Sequence, residues 1–374
     1  MPNRLTDLLG IEYPIIQAGM GMPNGLVTSP ELVAEVSNAG GMGCIGATGL
    51  DPDELRDTIR QTRALTDRPI SVDLLLPASL KTTVGRREAI RTEIREQHPK
   101  HWEMLLSLHA THGLPLKPSV REFSVTEELT LEQVAVVLEE DVELLVVALG
   151  DPGRVVPDAR AHGTLVAGMA GSGRNAQRQL DAGVDVIIAS GSEAGGHTGE
   201  IGSMVLIPEV VAAAASRNVP TVAAGGIATG AAIAAAMALG AEGVWCGTVF
   251  LFAEEVNLHH YQREQLREAR ASDFRRSRVY TGKPSRMYTN AVVQAWADSG
   301  LEPLPMPHQR ILMDDFSESA RASGRFDLVS NPAGQVAGLL AGQPEPARDI
   351  VQRLVRETNE AAARIEELRT VFAV

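Results

Sequence analysis

The chain has 374 residues, 44% of them hydrophobic and 22% charged, ordinary proportions for a globular protein with a large core. Its formal charge of -13 argues against nucleic acid or an anionic membrane as the main partner, because both reward basic patches. Aromatics make up only 4%, so the core must be built from Ala, Val, Ile and Leu.

The opening MPNRLTDLLGIEYP lacks the apolar stretch of a signal peptide. No segment approaches the roughly 18 consecutive apolar residues of a membrane span. Cys44 and Cys246 both fall in strand-like apolar runs, which makes a reducing cytoplasm the simplest location. Short β-branched runs give eight strand candidates: Pro14–Ala18, Gly43–Ala47, Pro69–Leu75, Leu144–Leu149, Thr164–Ala167, Val184–Ala189, Pro220–Ala224 and Gly243–Gly247. Helical patterns lie between them, among them Ser29–Asn38, Asp53–Leu65, Leu131–Glu139, Arg174–Ala182 and Ala231–Leu239. Ser29, Asp51, Thr130, Ser172 and Thr229 are expected N-caps, and Gly40, Gly183 and Gly240 expected helix stops.

Strands alternating with helices imply parallel strands and right-handed crossovers. Eight such units, too apolar to be half-exposed, predict an α/β fold, a closed (β/α)8 TIM barrel, over an open doubly wound sheet. The beat breaks after the third strand, predicting a helical insertion or lid over 77–130 with a basic run, Lys81–Arg95, that contains Arg86, Arg87 and Arg91. The barrel itself takes residues 1–76 and 131–253. A C-terminal helical extension, 254–374, is expected to pack on the barrel and its active site and to end in an amphipathic helix over Pro346–Val371.

Three clusters carry chemistry. In VPTVAAGGIATG and GVWCGTVF, Gly225–Gly226 follow the seventh strand and Gly247–Thr248 the eighth, where backbone amides and a helix N-terminus can hold a phosphate. In IIASGSEAGGHTGEIG, a strand ends in a glycine-rich loop bearing Glu193 and His197. A histidine there reads either as an acid/base near neutrality or as a loop residue that only holds backbone. In QAGMGMPNG, glycines permit flat backbone approach and Met20 and Met22 offer polarisable surface, although alone they read more simply as core. Gly41, Gly43 and Gly46 match G-x-G-x-x-G, but they follow a helix and enter a strand, the reverse of a dinucleotide fingerprint. His98, His101, His109 and His112 pair at helical spacing, but no Cys or carboxylate set completes a metal site, so none is expected.

With these clusters assembled, the chain resembles the nitronate monooxygenase (2-nitropropane dioxygenase) family. The likeness rests on PIIQAGM, LVAEVSNAGGMGCIG, GSEAGGHTG, PTVAAGGIATG through GVWCGTVF, and the later TGKPSRMYTN. It implies a TIM barrel carrying FMN that oxidises alkyl nitronates with O2 to carbonyl compounds and nitrite. By that resemblance Ala18, Gly19 and Met20 line the flavin ring, and Gly225, Gly226, Gly247 and Thr248 hold its phosphate. Gly195, Gly196 and Ala224 complete the cofactor site, and His197 is the active-site acid/base. Two positions depart from the pattern: Asp73 replaces a usual Asn and Ser190 a usual Gln, both at flavin-contacting positions. The alternatives are an FMN-dependent NAD(P)H enoyl-thioester reductase, for which the basic run of the insertion would form a rim, and a non-catalytic flavin-binding barrel. The basic run reads more simply as a solvated helix face. A homodimer is compatible with all three.

Overall fold

In a computed structural model of the chain, the described residues are 3–22, 25–76, 86–119, 126–340, 342–368 and 371. Eight parallel strands form the centre: β1 (Ile15–Gln17), β2 (Gly43–Gly46), β3 (Ile70–Leu76), β4 (Leu144–Gly150), β5 (Leu165–Ala170), β6 (Val186–Ser190), β7 (Thr221–Ala224) and β8 (Gly243–Cys246). Each pairs with the next, and β8 returns to β1 with Ile16 opposite Trp245. Between β1 and β2 the ring closes at Ile16 and Met42, where the Met42 amide donates to Ile15 O at 3.0 Å and the Gln17 amide to Met42 O at 2.9 Å. The fold is therefore the closed (β/α)8 barrel that the alternating pattern predicts.

Side chains alternate across each strand. Ile16, Met42, Val146, Ala167, Ile188 and Val222 fill the barrel, and helix α1 (Arg4–Leu9) plugs its N-terminal end with Leu5 and Leu9. The outward set, including Ile45, Val72, Leu145 and Val166, packs under helices such as α3 (Pro52–Arg63) and α6 (Glu127–Glu139). Small residues let layers approach. A Cβ on Gly43 would lie 2.1 Å from Val33 O in α2 (Pro30–Asn38) and one on Gly46 2.4 Å from the Met20 backbone, so these fingerprint-like glycines are close-contact points, to a helix and to the turn after β1. Ser29, Asp51, Ser172 and Thr229 cap their helices, and Gly40, Gly183 and Gly240 adopt positive φ at helix ends. Thr130 does not cap. Helix α6 starts one turn earlier under Thr126, and the Thr130 hydroxyl donates to Thr126 O at 2.8 Å. Among the described residues no helix is long and apolar enough to cross a membrane.

The insertion helices α4 (Arg87–Gln97) and α5 (Pro99–His112) do not pack alone. Ile90, Ile94, Leu105 and Leu108 share a core with Trp296 of α12 (Ala291–Ser299) and with Ile311, Leu312 and Phe316 of α13 (His308–Ala322). The basic run is divided where it is described: Arg86 and Arg95 are exposed, as a solvated face would have them, but Arg87 and Arg91 are buried. Arg91 donates from Nε and Nη2 to Asp315 at 2.8 and 2.7 Å, and Arg87 pairs with Asp314 at 3.1 Å. Arg95 lies over the Trp102 ring at 4.4 Å, and Lys81 falls outside the described residues. Asp315 also accepts from the Ser119 amide at 2.9 Å, so one buried carboxylate ties the insertion to the extension. Removing one partner of such a pair strands the other charge. Asp315→Ala should therefore lower stability by about 3 kcal/mol or more, read as a drop in the thermal midpoint; an unchanged midpoint would refute this anchoring role.

Candidate active site

The C-terminal ends of the strands carry every residue singled out for the cofactor. After β1, Ala18 and Met20 turn toward Gly247 beyond β8, where an added Cβ would sit 3.3 Å from Ala18 Cβ and 3.8 Å from Met20 Sδ. Gly19 runs over β3: a Cβ there would fall 2.5 Å from Asp73 Cβ and 3.1 Å from both Asp73 Oδ2 and Cys44 Sγ. Only glycine lets the backbone come so close. Ser190 ends β6 opposite Ala224 of β7, and Gly225 and Gly226 follow with φ of 95° and 75°.

The loop after β6 is fixed by one carboxylate. Glu193 accepts from the Ser203 amide at 3.0 Å and from its hydroxyl at 3.0 Å, at the start of α9 (Ser203–Ala215). The Ser203 hydroxyl also lies 2.8 Å from Gly225 O. Glu193 thereby links the histidine loop to the glycine turn after β7 and places a negative charge on a helix N-terminus, where it is favourable. The extension closes the same loop from outside. The Gln335 amide donates to Glu193 O at 3.1 Å, the Gly334 amide donates to Thr248 Oγ1 at 2.9 Å, and Gly195 abuts Ala333 so closely that a Cβ would lie 2.6 Å from its carbonyl carbon.

Whether this rim fits a phosphate-bearing cofactor can be judged from its amides. Among the described residues, the backbone amides of Gly225, Gly226, Gly247 and Thr248 donate to no protein acceptor. Unsatisfied amides clustered at glycine turns and at the start of the 3-10 turn Thr248–Phe252 form an anion cradle. The residues present fit the group.

Asp73 points into the barrel mouth with its Oδ1 buried and without a hydrogen-bond partner. Burial holds its carboxyl well above the usual carboxylate range, and burial together with Asp73 pushes the Cys44 thiol up. The Cys246 thiol is likewise raised, to about 12, by burial.

His197 lies in a two-residue strand, Gly196–His197, paired antiparallel with the extension: Ser285 of β10 (Ser285–Tyr288) faces His197, and β10 in turn pairs with β9 (Phe274–Ser277). By surface area His197 is exposed at this edge of the loop. Desolvation by the surrounding groups, then the positive charges of Lys283 and Arg310, push its pKa down, to about 4; the direction keeps an imidazole that is already mostly uncharged at pH 7 neutral there. His197 Nε2 lies 3.3 Å from Thr281 Oγ1. Thr281, Lys283, Ser203 and the Ala333–Gln335 segment were not legible as site residues in the sequence. Only TGKPSRMYTN pointed near them, as a passage and not as roles.

Of the remaining histidines, His109 is buried edge-on against Phe316, and His98, His101 and Trp296 cluster beside His308, which faces Glu93 at 3.2 Å.

A parallel eight-stranded barrel with an anion cradle after β7 and β8, and a histidine loop after β6, defines an oxidoreductase barrel of the flavin-binding class. The nitronate monooxygenase family model matches residues 2–357, and the chain belongs to that family, whose members are flavoproteins, typically with FMN, acting on small molecules with O2. A Mycobacterium tuberculosis protein assigned by name as a monooxygenase is 36% identical over 98% of this chain and 99% of its own length. A probable nitronate monooxygenase of Staphylococcus saprophyticus is 32% identical over 96% and 98%. Among solved structures, nitroalkane oxidase from Streptomyces ansochromogenes aligns with a TM-score of 0.81 at 28% identity, covering 96% of this chain and 99% of that one. FabK from Thermotoga maritima aligns with a TM-score of 0.76 at 28% identity, covering 98% and 99%.

The buried carboxyl makes a prediction about pH. A raised folded pKa means that folding is unpenalised below the unfolded value of about 4 and loses stability as pH rises above it. The loss continues, at up to about 1.4 kcal/mol per pH unit, until the folded carboxyl itself ionises. Asp73→Asn should thus stabilise the apoprotein at pH 7 and give little or no gain at pH 4, measured by denaturant unfolding at both. An equal effect at the two pH values would show that Asp73 ionises normally.

Proposed function

We propose that the protein oxidises alkyl nitronates with O2, using FMN, to carbonyl compounds and nitrite, with His197 as the acid/base. The observation that carries this reading is a neutral imidazole beside a lysine at the mouth of a barrel whose glycine turns leave amides free for a phosphate. Gly225, Gly226, Gly247 and Thr248 would hold the FMN phosphate, while Ala18, Gly19, Met20, Asp73, Ser190, Gly195, Gly196 and Ala224 would border the rest. Bound FMN would supply the redox chemistry, taking electrons from the substrate carbon and delivering them to O2.

The chain's own residues do the rest. A nitronate is already an anion, so it needs an apolar mouth, a positive charge and one polar group to orient it. His197, uncharged at pH 7, can take the proton of a neutral nitroalkane or hold a nitronate oxygen. The cytoplasm suits two buried thiols without a disulfide, and a homodimer is the assembly we expect.

A second reading, an NAD(P)H-dependent enoyl-thioester reductase, is compatible with the likeness to FabK. Against it, Arg87 and Arg91 are turned inward onto Asp314 and Asp315 and are not free to line a rim for a carrier.

Purified protein should show a flavin spectrum and release nitrite from propyl-2-nitronate in air. A flavin spectrum with turnover of NAD(P)H and an enoyl thioester but no nitrite would select the second reading, and bound flavin without any turnover a non-catalytic barrel. His197→Ala should reduce turnover about 100-fold or more with flavin content unchanged; normal turnover would remove His197 from the mechanism. Gly226→Val should lose the flavin, since the position has a φ of 75°, which a β-branched side chain rarely adopts, and the turn that offers the free amides would have to change. Full flavin content in that variant would place the phosphate elsewhere.

A further inference from the structure

The hydrogen bonds around His197 contain an unused constraint. Thr281 Oγ1 donates to Lys283 O at 3.0 Å, receives the Lys283 amide at 3.2 Å, and lies 3.3 Å from His197 Nε2. A hydroxyl has one proton and two lone pairs. The proton is committed to the Lys283 carbonyl and one lone pair to the Lys283 amide, so the contact with His197 is satisfied only when Nε2 carries the hydrogen.

In a neutral imidazole the lone pair then lies on Nδ1. Lys283 is brought beside the ring by its own backbone, whose amide and carbonyl both meet the Thr281 hydroxyl that touches Nε2, and with Arg310 it is one of the positive charges acting on His197. Arg310 is engaged, its Nε donating to Asp314 Oδ1 at 2.7 Å, whereas the Lys283 ammonium makes no ion pair or hydrogen bond among the described residues. A half-buried, unpaired ammonium beside a neutral base is suited to an oxyanion.

We propose that Thr281 is a positioning residue that sets His197 in its Nε2–H tautomer, making Nδ1 the base, and that Lys283 anchors the oxyanion of the substrate. This deepens the reading of His197 as acid/base. For a neutral nitroalkane the step balances without any redox partner. The C–H bond breaks, its proton goes to Nδ1, and its electron pair forms the C=N bond while the negative charge settles on the nitro oxygens facing Lys283. For a preformed nitronate, Lys283 binds the same oxygens and no proton moves. The TGKPSRMYTN passage, which in the sequence carried only resemblance, thus supplies both the orienting hydroxyl and the charge.

The test is nitrogen NMR of protein labelled in its histidines, with His197 assigned by its loss in His197→Gln. The wild-type protein at pH 7 should show a protonated Nε2 and a bare Nδ1. Thr281→Val should give a mixture of tautomers, and Thr281→Ser should restore the single one. A bare Nε2 in the wild type, or a tautomer unmoved in Thr281→Val, would overturn the role of Thr281. Lys283→Met should raise the His197 pKa in the same spectra, because it removes a like charge. It should also raise KM for propyl-2-nitronate about ten-fold, the weight of one charge-assisted contact, with kcat little changed. Lys283→Arg should restore most of the KM. An unchanged KM in Lys283→Met would overturn the anchor. If instead His197→Ala turned over normally while the tautomer pattern held, the acid/base reading would fail and the role of Thr281 in setting the tautomer would stand.

Discussion

A parallel barrel must join its first strand to its second, and here a single side chain completes that joint. Beyond Ile16 and Met42 the backbones of β1 and β2 part, and the buried Gln17 amide takes over. Its Oε1 accepts from the Cys44 amide at 2.9 Å and its Nε2 donates to Cys44 O at 3.3 Å and to Ala18 O. Both polar groups of Cys44 are satisfied without a neighbouring strand, which a buried strand edge requires. The parting is what the site needs. It frees the chain to swing inward as Ala18–Gly19–Met20, across Asp73 and against Gly247, so that residues from the first, third and eighth strands border one mouth.

The other half of the mouth is held by the extension, through main-chain contacts. Ala333–Gln335 presses on Glu193, Gly195 and Thr248, and β10 adds a strand to His197. Within the barrel the histidine loop is held at its ends, by Glu193 on Ser203 and by the Gly191 amide on Ala224 O at 2.9 Å. The extension is steadied in turn by the insertion, through the shared apolar core and the carboxylate of Asp315. Insertion and extension thus act together as the outer wall of the barrel top.

Much of this was legible from local pattern. Eight apolar runs between capped helices implied the barrel because strand, cap and glycine-stop signals act within a few residues. The glycine turns after β7 and β8 and the histidine loop were legible for the same reason, and their placement at strand ends follows from the barrel. Thr130 was misjudged because Thr126, one turn earlier, offers the same cap chemistry. Of the basic run only Arg87 and Arg91 were misread, because nothing near them announces Asp314 and Asp315, which lie more than 220 residues away. Thr281 escaped for a related reason: the role proposed for it rests on a count of protons and lone pairs and on a histidine 84 positions earlier.

The last long helix, α14 (Ala347–Leu368), has a bearing on how the molecule comes into being. It lies against α10 (Gly230–Ala238) so closely that a Cβ on Gly230 would sit 2.1 Å from the Thr358 amide nitrogen, and Glu357 Oε2 accepts the Gly230 amide at 2.9 Å. The helix that follows β7, capped locally by Thr229, therefore has a second first-turn amide capped by a residue 127 positions later. During synthesis the eight strands emerge well before that cap, and before β10 and Ala333–Gln335 arrive to hold the mouth. The ribosome thus delivers the ring first, and the histidine loop and the glycine turns gain their outer supports only after the segment through Gln335 has been made.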